Sequence, residues 1–154
     1  MALSELLSPG GVAADLNASS RKQALHALCE LAQRSLHVPA RPLLDAVTER
    51  ERLGATGVGD GVAIPHARTY LVDRVCGVFA RLKHAVDFDA PDGRPADLIF
   101  LLIAPENAGA EHLKALAQVS RLFRRQDIRQ ALRAAPDAAA IEGILNSGVR
   151  SDAA

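Results

Sequence analysis

The chain has 154 residues, 49% hydrophobic and 23% charged, and its 18 basic side chains are balanced by 18 acidic ones. At this length a folded chain buries roughly 68–70% of the surface its unfolded form exposes, so a core forms without disulfides or metals, and the stapled mini-protein classes are excluded. A formal charge of zero gives no chain-wide attraction for phosphate backbones or anionic lipid, so neither nucleic acid nor membrane insertion is expected.

One domain is expected over 1–154, with an ordered core of about 3–147. Its start, Met1 to Gly10, has neither the basic region nor the long apolar region of an export signal. The longest apolar run, Leu98 to Ala104, is far below the ~20 residues that span a bilayer. A cytoplasmic location is the expectation.

Ser20 and Gln23 form a capping box, and Ala24, Leu25, Leu28, Leu31, Ala32 and Leu36 recur at helical spacing, which predicts a helix over about 20–35. Pro39 and Pro42 mark a fresh start, and Leu43, Leu44 and Val47 carry a second helix over roughly 40–52. Glycines at 54, 57, 59 and 61 then rule out a helix, each costing about 1 kcal/mol relative to alanine. They predict a loop feeding a short strand at Val62-Ala63-Ile64.

Val75 to Leu82 and Asp97 to Ile103 read as strands, the second apolar on both faces and therefore central. A helix over about 108–124 follows, through Leu113, Leu116, Val119 and Phe123. Two shorter helices come next, the last with Gly148 beyond its end. Helices at both ends around strands in the middle imply one sheet covered by helices on its faces. Cys29 and Cys76 sit in apolar-periodic segments without a C-x-x-C spacing and are expected to be buried thiols.

The stretch from Glu49 to Arg68 carries the chemistry. It is not a P-loop, because no Lys-Ser or Lys-Thr follows its last glycine, and not a dinucleotide fingerprint, because it leaves a helix and enters a strand. What it offers is His66 at a strand exit, its backbone stiffened by Pro65, with Arg50 sixteen residues earlier near a helix end. Neutral imidazole presents a lone-pair nitrogen if its other nitrogen is pinned as a donor. Glycines let backbone N–H groups approach an anion. A lone histidine after a strand is more often a packed or surface residue, and four close glycines are more often a turn; here the two occur together within twenty residues, with Arg50 upstream.

Glu49-Arg50-Glu51-Arg52, the glycine-rich loop and Ile64-Pro65-His66-Ala67-Arg68 together resemble the phospho-acceptor region of fructose/mannitol-type enzyme IIA domains of the phosphoenolpyruvate:sugar phosphotransferase system. The likeness extends to Leu3–Pro9, the 20–35 helix, Asp89–Phe100 and Glu111-His112-Leu113, and is nearest to the nitrogen-regulatory branch of that family. It implies a three-layer α/β/α sandwich on a central mixed sheet. It also implies that His66 is the phosphorylated histidine, that Arg50 contacts the phosphoryl group, and that His112 is a second active-site histidine. Where the family commonly has Ser-Thr-Gly, this chain has Ala55-Thr56-Gly57, so phosphate binding by that segment is expected from Thr56 or from backbone at Gly57.

The resemblance further implies a phosphoryl donor like HPr or its nitrogen-branch relative NPr. Because this chain carries no permease and has no room for an enzyme IIB domain, a regulatory output is expected, touching nitrogen metabolism, potassium transport or sensor kinases. The alternative is a sugar-specific enzyme IIA that passes phosphate to a separate IIB protein. No cofactor is implied. A zinc site at His66, His112 and Glu111 is disfavoured because no histidine pair has helical i, i+4 spacing. The arginines at 121, 124 and 125 are read as a solvated helix end, and His26, His37 and His84 as incidental. A carrier must release what it accepts, so the site should be shallow and partly exposed.

Overall fold

A computed structural model describes residues 3–153, with side-chain environments described from Glu5 to Gly148. One helical turn, α1 (Leu3–Leu6), leads directly into β1 (Leu7–Leu16), and α2 (Arg21–Leu36) and α3 (Ala40–Leu53) follow. Three short strands come next, β2 (Gly57–Gly59), β3 (Val62–Ala63) and β4 (His66–Arg68). Two long strands, β5 (Cys76–Val86) and β6 (Ala96–Ala104), precede α4 (Ala110–Arg124), α5 (Gln126–Ala134) and α6 (Ala138–Ala153). The sheet has six strands in the order β1-β5-β6-β3-β2, with β4 also pairing with β6. β1 runs parallel to β5, β5 antiparallel to β6, and β3 and β4 parallel to β6. The sheet is therefore mixed, and β6 is its spine.

Side chains alternate across a strand, and here the alternation sorts two cores. Phe79, Leu98, Phe100 and Leu102 face one way and pack with Val119, Phe123, Leu132 and Leu145 of α4–α6. Val78, Ala80, Ile99 and Leu101 face the other way and pack with Leu25, Leu28, Leu43 and Val47 of α2 and α3. These are the layers of an α/β/α sandwich, with β6 buried on both faces as expected. Ser20 caps α2 by accepting from the Gln23 N–H, as the capping box requires. Cys29 and Cys76 are free and buried, their thiols pushed up to about 12 and about 11 by burial.

Three features differ from the sequence reading. β1 comes before the first long helix, so the chain does not simply place helices at both ends. Pro9-Gly10-Gly11 and an irregular register on β5 hide it, because an edge strand tolerates both. The glycine-rich loop is itself a hairpin: Gly59 pairs with Val62 around Asp60-Gly61, whose φ values of 57° and 78° are those of a type I′ turn. Gly148 lies inside α6, where a Cβ would meet Leu122 Cδ1 at 2.7 Å; it is a packing glycine and not a stop.

Candidate functional site

The site is built where β4 meets α4. β3 pairs with β6 at Val62–Leu98 and Ala63–Ile99, Ile64 and Pro65 interrupt, and β4 resumes the pairing at His66–Leu102. Ala67 is buried in the α2–α3 core, so His66 and Arg68, one residue to either side, project to the opposite face. That face is covered by α4. On α4 the buried residues are His112, Ala115, Val119, Leu122 and Phe123, a helical stripe that includes the histidine. His112 is only 6% exposed. The two imidazoles meet edge to face, with ring centroids 5.6 Å apart and planes at 75°.

Each ring has one nitrogen engaged. His66 Nδ1 lies 2.8 Å from the Ile64 carbonyl oxygen. A carbonyl only accepts, so Nδ1 carries the proton and Nε2 keeps its lone pair. His112 Nδ1 lies 3.0 Å from Arg68 Nε, and its Nε2 is buried without a hydrogen-bond partner among the described residues. Burial lowers the pKa of His66, and Arg50 lowers it further against the Ile64 hydrogen bond and Glu51. Burial also lowers that of His112, followed by His66, Arg68 and Arg50. Both rings are therefore neutral at neutral pH.

A cavity of about 510 Å³ opens over this pair, bounded by Ala46, Glu49, Arg50, Leu53 of α3, by β4, and by His112, Leu113 and Leu116 of α4. Arg50 donates one hydrogen bond from Nη1 to the Gly54 carbonyl at 2.8 Å, which leaves further donors of its planar fork for an anion. The structure thus brings together His66, Arg50 and His112. Thr56 and Gly57 are not among the residues that bound the cavity. The buried Thr56 hydroxyl donates to Glu51, whose carboxylate also takes Arg21 at 3.1 Å. Gly57 approaches the β5–β6 connection so closely that a Cβ would lie 2.8 Å from the Phe88 carbonyl oxygen. Both residues hold the hairpin in place.

Of the apolar residues around the signature, Val62 and Ile64 are core and Val58 is exposed. The rim beside the histidines is instead Leu53 and Leu113, 81% and 64% exposed. Sequence reasoning missed that pair and gave Arg68 no role. The available signals were a leucine ending α3, a leucine following His112, and the two-residue step from His66 to Arg68. No three His, Cys, Asp or Glu side chains converge as a metal site among the described residues, and no helix among them is long and apolar enough to cross a membrane.

Residues 5–148 match the family described as the phosphoenolpyruvate-dependent sugar phosphotransferase system, EIIA 2. The chain belongs to this family. Within it, the chain is similar to a nitrogen regulatory protein of Bradyrhizobium diazoefficiens, 46% identical over 94% of this chain and 95% of the relative. It is 38% identical to the nitrogen regulatory protein of Pseudomonas aeruginosa, over 93% of this chain and 94% of the relative. Among solved structures, nitrogen regulatory protein IIA-Ntr of Neisseria meningitidis superposes with a TM-score of 0.86 at 36% identity, over 93% of this chain and 98% of that one. The mannitol enzyme IIA of Escherichia coli, at 18% identity and a TM-score of 0.74 over 88% and 96% of the two chains, shares the fold. The enzyme IIA sandwich expected from the resemblance is thus the fold of the described residues.

Proposed function

We propose that this nitrogen-regulatory type enzyme IIA is a cytoplasmic phosphohistidine carrier, with His66 Nε2 as the acceptor atom. The observation that carries the reading is the His66 Nδ1–Ile64 carbonyl contact of 2.8 Å, in a ring that also borders an open cavity with Arg50 and His112. In the transfer, the Nε2 lone pair forms the new N–P bond while the bond from phosphorus to the donor's ring nitrogen breaks. The electron pair stays on that donor nitrogen. The proton on His66 Nδ1 remains in place, and its hydrogen bond to Ile64 supports the positive charge the ring acquires.

The transferring group is metaphosphate-like, so the protein acts chiefly by positioning and charge. Arg50 offers a planar pair of donors to the phosphoryl oxygens, and His112 adds a hydrogen bond. A donor of the HPr or NPr kind fits, since Leu53 and Leu113 give an apolar rim for another protein to cover. Kinship with nitrogen regulatory proteins supports an output through binding that depends on phosphorylation, with potassium-transport proteins or sensor kinases as candidate targets. It disfavours transfer to a sugar-specific IIB protein.

The test is incubation with phosphoenolpyruvate, enzyme I and an HPr-type carrier, read by mass spectrometry of native protein. One acid-labile phosphoryl group on His66 is expected. No adduct, under conditions that label a known enzyme IIA, overturns the reading. Rapid transfer onward to a IIB domain would assign the sugar role instead.

A further inference from the structure

We propose that Arg68 is a positioning residue of this site: it holds His112 as the neutral tautomer with its proton on Nε2. The proposal rests on His66 being the phosphoryl acceptor only for its kinetic consequence, because the state of His112 is measurable without phosphorylation.

A guanidinium acts only as a hydrogen-bond donor, and it does not deprotonate in proteins. Arg68 Nε lies 3.0 Å from His112 Nδ1, so Nδ1 accepts. A ring that accepts at Nδ1 carries its single proton on Nε2 and is neutral. That Nε2–H is buried and has no hydrogen-bond partner among the described residues. An unpaired buried donor is costly and calls for a partner that arrives with function. His66 is the ring beside it, at 5.6 Å between centroids, and both rings border the same cavity.

The two histidines are therefore set in opposite tautomers by opposite kinds of partner. A carbonyl that only accepts makes His66 bare at Nε2; a guanidinium that only donates makes His112 protonated there. One ring becomes the nucleophile, and its neighbour becomes a neutral donor for an oxygen of the group that the first ring carries. Strand geometry delivers both controls, because Arg68 follows His66 by two residues and shares its face of β4. Arg68 thus acts through His112, and its effect requires that ring.

Nitrogen-15 NMR of the unphosphorylated protein at neutral pH gives the direct test. In the native protein the His112 Nδ1 shift should be that of a hydrogen-bonded acceptor. In Arg68→Met it should move toward the protonated value, as Nδ1–H forms appear, and in Arg68→Lys it should stay near the native position. A native-like Nδ1 shift in Arg68→Met overturns the proposal.

The kinetic arm is a double-mutant cycle. Arg68→Met should slow phosphoryl acceptance about tenfold, the scale of one hydrogen bond to a charged group, and Arg68→Lys should restore most of it. In a His112→Gln background the same change should alter the rate less than twofold. Full slowing in that background would mean Arg68 touches the phosphoryl group or the donor directly, which also overturns the proposal. If no phosphorylation occurs at all, the NMR result still stands or falls alone.

Discussion

The hairpin of residues 57–63 and the cavity between β4 and α4 are neighbours in sequence and lie within the same conspicuous block, yet the structure uses them differently. The hairpin has the more unusual composition. Its glycines accommodate an Asp60-Gly61 turn and a close approach to Phe88, and Thr56 is tied back to Glu51. The cavity has an ordinary composition but holds two neutral histidines, an arginine fork and an apolar rim. Unusual composition here reports unusual backbone. The chemistry we propose is carried by common residues brought together from three elements.

That contrast is tested most severely at His66. His66→Ala should abolish phosphoryl acceptance, measured by mass spectrometry, while circular dichroism shows a native fold. Arg50→Ala should slow acceptance about 10²–10³-fold in rapid-quench kinetics, the usual loss for one donor to transition-state charge. Its melting temperature should hardly change, since the bond Arg50 makes among the described residues, to the Gly54 carbonyl, is at the exposed end of α3. Unfolding of that variant would make Arg50 structural. His112→Ala should cost about ten- to a hundredfold, as for a hydrogen bond to a charged group; an unchanged rate would return it to the core.

On the hairpin side the expected pattern reverses. Thr56→Val takes one hydrogen bond from the buried Glu51 carboxylate, which keeps Arg21 and the backbone N–H of residue 56, and should lower unfolding free energy by about 1–3 kcal/mol in denaturant titration, with acceptance rates within about twofold. A rate loss as large as that of Arg50→Ala would put the Thr56 hydroxyl on the phosphoryl group after all.

The smallest effect is on pH dependence. Both site histidines have folded pKa values below the ordinary 6.5. The unfolded chain therefore binds protons first as pH falls, and stability should decline below about 6.5. It should be level on this account above that pH. Removing both rings should flatten the melting temperature between pH 6.5 and 5, and a slope identical to wild type would show that the histidines are not held neutral.

Much of this was legible beforehand, for physical reasons. Helical periodicity around Leu28 and Val119, and the doubly apolar run at Leu98–Ala104, follow from one-dimensional patterning and led to the observed elements. β1 was hidden because Pro9 and the glycines beside it are permitted at a sheet edge. The His66 region was recognisable as a resemblance, which also implied His112 as a second active-site histidine. Arg68 was not legible, because its role lies in a contact across 44 residues of sequence. Leu53 and Leu113 were equally silent, since exposed leucines acquire meaning only from what stands between them.

β4 has three residues, and their alternation constrains which lengths this part of the chain tolerates. Losing or gaining a single residue between Pro65 and Thr69 would turn the guanidinium inward against Leu43 and Val47, or swing the imidazole away from α4. The surface turn after Tyr70 is free of that parity and can lengthen or shrink in steps of one. Between the proline and the threonine, only changes of two leave both side chains on their proper side.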